Sequence, residues 1–195
     1  MATQVGICNE ALLRFGSVTI LSIDDETREA RACKTLWDGA RDALIESHPW
    51  GFAMKRAALG SPLVDAPAFG FEYAYSLPAD CLRVWESEDE LTDWAVEDGT
   101  FLADIEAPKI RYIAKITDVS KYPPSFCRCL AAALAADLSS KLLEDRGRQR
   151  AALLDELETI LLPRARMLNT IERPKVSRTM GAADMQAHTW ITEGR

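Results

Sequence analysis

Histidine is scarce in this sequence: His48 and His188 are the two in 195 residues. Proton transfer near neutral pH therefore has few side chains to draw on, although carboxylates remain available. The glycine-rich phosphate loop, the dinucleotide fingerprint and the Gly-x-Ser-x-Gly elbow are all missing. Long apolar runs are missing too. The longest is Cys129 to Ala136, whereas a membrane-crossing helix needs about 20 apolar residues. No basic-then-apolar leader opens the sequence, and the five cysteines (Cys8, Cys33, Cys81, Cys127, Cys129) are odd in number. Reduced thiols in an intracellular setting are the expectation. These lacks point away from an enzyme, with no catalytic residue, no metal and no cofactor nominated.

Charge is present in plenty but unevenly placed. The net charge is -7, which argues against a nucleic-acid-coating surface. Residues 1–162 carry 17 Lys and Arg against 27 Asp and Glu, while residues 163–195 carry 6 against 3. A weakly basic tail on an acidic body can dock on an acidic partner or on another copy of the body.

Apolar spacing predicts helices over about 3–15, 25–47, 124–145 and 148–169. Val5, Cys8, Leu12 and Phe15 form the stripe of the first, and Gly16 is placed to end it. Asp24 or Asp25 should cap the second, whose buried stripe is Ala30, Cys33, Trp37, Ala40 and Leu44. On its charged face, Lys34 with Asp38 and Asp38 with Arg41 stand at pairing distance. Pro124 opens the third helix, Gly147 ends it, and Pro163 should kink or break the fourth. Between helices two and three the period drops to two: Phe69, Phe71, Tyr73, Tyr75 and Leu77 alternate with small or polar residues. Further strands are expected from Cys81 to Trp85, around a Glu97-Asp98-Gly99 turn, and from Ile110 to Ile116. The expected fold is α+β and mainly α. It comprises a bundle of about four helices, an antiparallel meander of about four strands within 69–116, and an extended C-terminal tail. Residues 1–170 form the body and 171–195 the extension.

Two groups resemble sites without completing one. Cys127 and Cys129 lie about 200° apart around a helix, so they point to opposite faces and are expected to be buried thiols rather than a chelate. His48, before Pro49 and Trp50, is expected to be a cation near free helix-end carbonyls. The sharpest feature is acidic. Glu86, Glu88, Asp89, Glu90, Asp93, Glu97, Asp98, Asp104 and Glu106 occur with no Lys or Arg from Val84 to Pro108. The regular calcium-loop spacing is absent, and a solvated edge or lining surface is the expectation.

Four segments in order carry a resemblance: Ile7 to Gly16 (ICNEALLRFG), Ala40 to Ala53 (ARDALIESHPWGFA), Tyr73 to Val84 (YAYSLPADCLRV), and Arg111 to Asp118 (RYIAKITD) leading to Tyr122 to Phe126 (YPPSF). Together they resemble the head-to-tail adaptor, or connector, family of short-tailed bacteriophages, over about residues 7–145. The resemblance implies a non-enzymatic virion protein assembled as a homo-oligomeric ring of twelve copies. Such a ring sits between portal protein and tail nozzle at the head–tail junction and carries viral DNA through its channel without specific binding. It would assemble in the host cytoplasm and have no membrane partner. The C-terminal extension would reach the portal, with Met180, Met185, His188, Trp190 and Ile191 as contacts. Arg28, Arg31 and Arg41 are the candidates for subunit contacts. Glu86, Glu88, Asp89, Glu90 and Asp93 are the candidate channel-lining or acidic face. Two other readings stay open: a small metal-dependent enzyme using the acidic 86–106 region, and a DNA-packaging accessory protein using the basic tail.

Overall fold

The computed structural model describes residues 2–64, 67–88, 92–142 and 146–171. Helix α1 (Gln4–Leu13) begins at Thr3, whose hydroxyl accepts from the Gly6 N–H at 3.0 Å. It ends in a turn closed by Gly16 at φ +76°, the left-handed conformation that a residue without a Cβ adopts freely. Asn9 then pins the following loop. Its amide donates to the Ile20 carbonyl at 2.9 Å, and its carbonyl accepts from the Ile20 N–H at 2.8 Å.

Helix α2 (Arg28–Glu46) starts three residues later than its charge pattern predicts. Thr27 is the cap, its hydroxyl accepting from Ala30 N–H at 3.2 Å. Asp25 is unavailable because its carboxylate accepts from the N–H groups of Leu21 and Ser22 at 3.0 and 2.9 Å, closing the preceding turn. Ala30, Cys33, Trp37 and Leu44 are buried as expected, and Ala40 is half-buried. Trp50, just beyond, is fully buried and donates its indole N–H to the Leu44 carbonyl at 2.9 Å.

The strand region departs furthest from expectation. Six strands, not about four, form two three-stranded antiparallel sheets rather than one meander. They are β1 (Met54–Ala58), β2 (Tyr73–Ser76), β3 (Cys81–Ser87), β4 (Trp94–Glu97), β5 (Thr100–Ala103) and β6 (Lys109–Ala114). The first sheet has the order β1-β6-β3 and the second β2-β5-β4. Strand β1 lies outside 69–116. It is an edge strand whose Lys55 and Arg56 face solvent, which leaves no period-two apolar pattern in its sequence. Strand β2 is shorter than its aromatic alternation implies. Gly70 takes φ +90° and ends the extended run, so Phe69 is 89% exposed while Tyr75 is fully buried. The β4–β5 turn is as expected: Asp98 and Gly99 both have positive φ, 44° and 71°, the two-residue form that matches strand twist.

Helix α3 (Pro124–Leu142) is the centre of the fold. Phe126, Leu130, Leu134 and Leu138 are wholly buried, and so are Ala131, Ala132, Ala135 and Ala136. A helix buried on nearly all sides lets α1, α2, α4 (Arg146–Glu156) and α5 (Leu162–Ile171) all pack on it. Gly147 does not stop α3; it is the second residue of α4. Pro163 does not break the last helix either. A π-helical turn, Leu157–Leu161, precedes it, with the Leu162 N–H bonded to the Leu157 carbonyl. The wider turn makes room where the proline ring would meet the carbonyl four residues back, that of Thr159. The fold is thus α+β and mainly helical. No helix among the described residues is long and apolar enough to cross a membrane.

Candidate functional site

The three arginines expected at a subunit contact divide. Arg31 is exposed and ion-paired with Glu26. Arg28 is exposed too, and one of its nitrogens donates to the Lys141 carbonyl at 2.8 Å, tying the start of α2 to the end of α3. Arg41 is a correction. Its side chain is 4% exposed, with Nη1 2.7 Å from Asp38 and Nε 2.7 Å from Asp42. Asp42 also receives Lys115, from the segment after β6, at 2.9 Å. Arg41 is therefore spent inside one chain, holding Asp42, which in turn joins α2 to the segment after β6; α2 turns Arg41 inward between buried Trp37 and Leu44. Asp38 pairs with Arg41 as expected, but Lys34 turns to Asp24 at 2.7 Å.

The acidic stretch is less bare than its sequence. Antiparallel pairing places β6 beside β3, so Arg111 reaches Glu86 at 2.8 Å and Lys109 reaches Glu88 at 2.9 Å. A lining of uncompensated carboxylate at Glu86 and Glu88 is therefore not what the sheet presents. Asp93 is exposed before β4. Asp89 and Glu90 lie outside the described residues, as do Met180, Met185, His188, Trp190 and Ile191. Ile171, placed with the extension on sequence, is the last residue of α5.

His48 lies just past the end of α2, beside Asn169 of α5. Asn169 has its amide oriented by two backbone groups: Oδ1 accepts from the Gly51 N–H at 2.7 Å and Nδ2 faces the Pro49 carbonyl at 3.3 Å. The same Nδ2 lies 3.2 Å from His48 Nε2. His48 also sits edge-on to Trp50, ring centres 4.8 Å apart. Cys127 and Cys129 are buried thiols, as expected. Burial pushes the Cys129 thiol up to about 11. Among the described residues, no group of three or more His, Cys, Asp or Glu is placed to hold a metal ion.

The second, third and fourth adaptor-like segments meet at the joints of the fold. Trp50 and Phe52 of the second pack on Tyr122 and Phe126 of the fourth, with ring centres 4.8 to 5.4 Å apart. Asp80 of the third accepts from the Tyr112 hydroxyl at 3.0 Å, and its carbonyl takes the Lys115 N–H at 2.7 Å. Asp42 of the second reaches Lys115.

Two exposed grooves have no counterpart among the sequence expectations. One, about 270 Å³, runs between the start of α3 and the π turn with α5. Pro124, Ile160 and Leu168 line it, with Arg128 and Arg164 at its rim. The other, about 550 Å³, lies over the second sheet. Leu63, Phe69, Phe71 and Leu102 line it, with Glu97 and Asp98 at its rim. In sequence, Arg128 is only one of two charges between Phe126 and Leu138. Neither groove has a local signal, because residues distant in sequence line each. No family model and no curated protein matches the chain.

Proposed function

We propose that this chain is a structural head–tail adaptor: a subunit of a ring that joins a phage portal to the tail nozzle and passes DNA through its centre without chemistry. What carries the reading is the ordered set of four segments resembling that family, of which the second, third and fourth supply joints between α2, the first sheet and the start of α3. Residues so placed govern how helices and sheet sit together, so likeness there bears on the shared fold first. Exposed charge adds support of another kind. Exposed Arg128 and Arg164, and the carboxylates of the β4–β5 turn, none of them ion-paired among the described residues, give one subunit two unlike faces. A closed ring of identical subunits needs unlike faces, because each contact is head to tail.

The metal-enzyme reading loses ground, since Glu86 and Glu88 are held by Arg111 and Lys109. Native mass measurement of the chain with the portal protein of the same virus tests the proposal. A ring of about twelve copies bound to the portal is the expected result. A chain that stays monomeric and ignores the portal would overturn it. Truncation after Thr170 should leave a folded body that no longer joins the portal; normal joining would remove the extension from the proposed interface.

A further inference from the structure

The sheet region of this molecule is strongly acidic. From Ala57 to Pro108, Arg83 is the one basic residue. That span contains all of β2, β3, β4 and β5, hence the whole second sheet. The helical side has no such bias, with 7 Lys and Arg against 6 Asp and Glu over residues 122–171, but the groove there is lined by Arg128 and Arg164 and by no acid.

Each of the two grooves combines exposed apolar surface with lining charge of one sign. Phe69 (89% exposed) lines the acidic groove, Val64 (99%) follows its lining residue Leu63 in the chain, and Ile160 (59%) lines the basic one. Soluble chains rarely leave such apolar groups grouped in the open unless something covers them. Among the described residues, no ion pair engages Glu97, Asp98, Arg128 or Arg164, although twelve ion pairs are formed elsewhere. The rim charges are thus left over within one chain and complementary between two.

We infer that the acid-rimmed groove of the second sheet docks on the arginine-rimmed α3–α5 groove of a second copy. Phe69 and Val64 then cover Ile160 and Leu168, while Glu97 and Asp98 face Arg128 and Arg164. The contact uses two different faces, so it repeats from copy to copy rather than closing a symmetric dimer. It rests on the adaptor reading only for where that repetition stops.

Charge reversal on each face tests the pairing. One variant carries Glu97→Lys with Asp98→Asn, asparagine being tolerated at the positive φ of position 98. The other carries Arg128→Glu with Arg164→Glu. All four positions are exposed, so both variants should melt as wild type does. Sedimentation of the full chain at low salt, over its whole soluble concentration range, should show wild-type self-association that weakens as salt is added. Each variant alone should associate roughly tenfold or more weakly, because like charges now face each other. An equal mixture should recover association, because each altered face then meets an opposite one on the other variant. Wild type that stays monomeric throughout, or a variant that associates as wild type does, overturns the pairing. If variants still form normal rings on the portal, the pairing falls and the adaptor reading stands. Charge-dependent association without portal binding upholds the pairing and removes the adaptor reading.

Discussion

Arg41 donates from Nε to Asp42 Oδ1 at 2.7 Å where helix α2 meets the sheet, and Asp42 takes Lys115 at 2.9 Å on its other oxygen. A side chain that looks from sequence like surface charge is a bolt within one chain. Arg41→Ala should lower stability in urea by about 2 kcal/mol. That is below the roughly 3–5 kcal/mol seen when a fully buried pair is broken, because Asp38 and Asp42 keep access to water. Arg31→Ala, at an exposed site, should stay within about 0.5 kcal/mol. Equal effects at both positions would contradict the assignment.

Acid should loosen the helix–sheet joint. The hydrogen bond from Lys55 at 2.5 Å holds the Asp80 carboxyl below the usual carboxylate range, outweighing its partial burial, and Tyr112 adds to it. Burial works to raise Asp42, but the bonds from Arg41 and Lys115 overrule it and leave that group lowered as well. A carboxyl that is more acidic when folded contributes its stability above the unfolded value, about 4, and loses it as pH falls through the depressed folded value. Unfolding free energy measured from pH 6 downward (about 6 to 2) should therefore fall chiefly below about 4. Asp80→Asn should make that limb shallower.

A matching loss is expected in alkali. Burial pushes the Tyr112 and Tyr122 phenols up to about 12, with Asp80 adding to the effect at Tyr112. Their raised folded values mean that this part of stability is full below about 10 and is lost as pH rises towards 12. Tyr73 and Tyr75 are raised as well, so phenolate absorbance should appear late as a whole, above the usual value of about 10. Tyr122→Phe removes a bond to the Ile116 carbonyl at 2.5 Å and should shrink that late rise. A rise at the usual value would mean that the rings are open to solvent.

Pro163→Ala should stabilise the chain by about 1–3 kcal/mol, since alanine restores a donor and removes the ring's clash in a helix interior. Hydrogen exchange across 157–163 should slow as the wide π turn relaxes towards α. A destabilised variant would show that the wide turn is held by packing around Leu157 rather than by the proline.

Thiol chemistry offers a direct check on the core. Cys8 and Cys33 share a hydrogen bond between α1 and α2; that bond, then burial, raises Cys8, while it lowers Cys33. Both are fully buried, as is Cys129, whereas Cys81 is half-buried with its thiol pushed by burial up to about 11. Alkylation of the native chain followed by mass analysis should be slow everywhere and should find Cys81 first. Rapid modification of Cys8 or Cys33 would mean that α1 detaches readily.

The helices were legible in the sequence because their period and their punctuation are local. Gly16, the Asp98-Gly99 turn and Pro124 all act within a few residues of where they stand. The α+β class and the burial of Cys127 and Cys129 followed in the same way. Sheet order, and with it the partners of Glu86 and Glu88, was decided only in three dimensions, because antiparallel register brings Lys109 and Arg111 alongside from more than 20 residues away. The same holds for Arg41, turned inward by the pitch of α2, and for His48, whose neighbour Asn169 comes from a distant helix. A pattern within one segment reports which side chains share a face. Which face meets which depends on contacts between segments, and those exist only once the chain has folded.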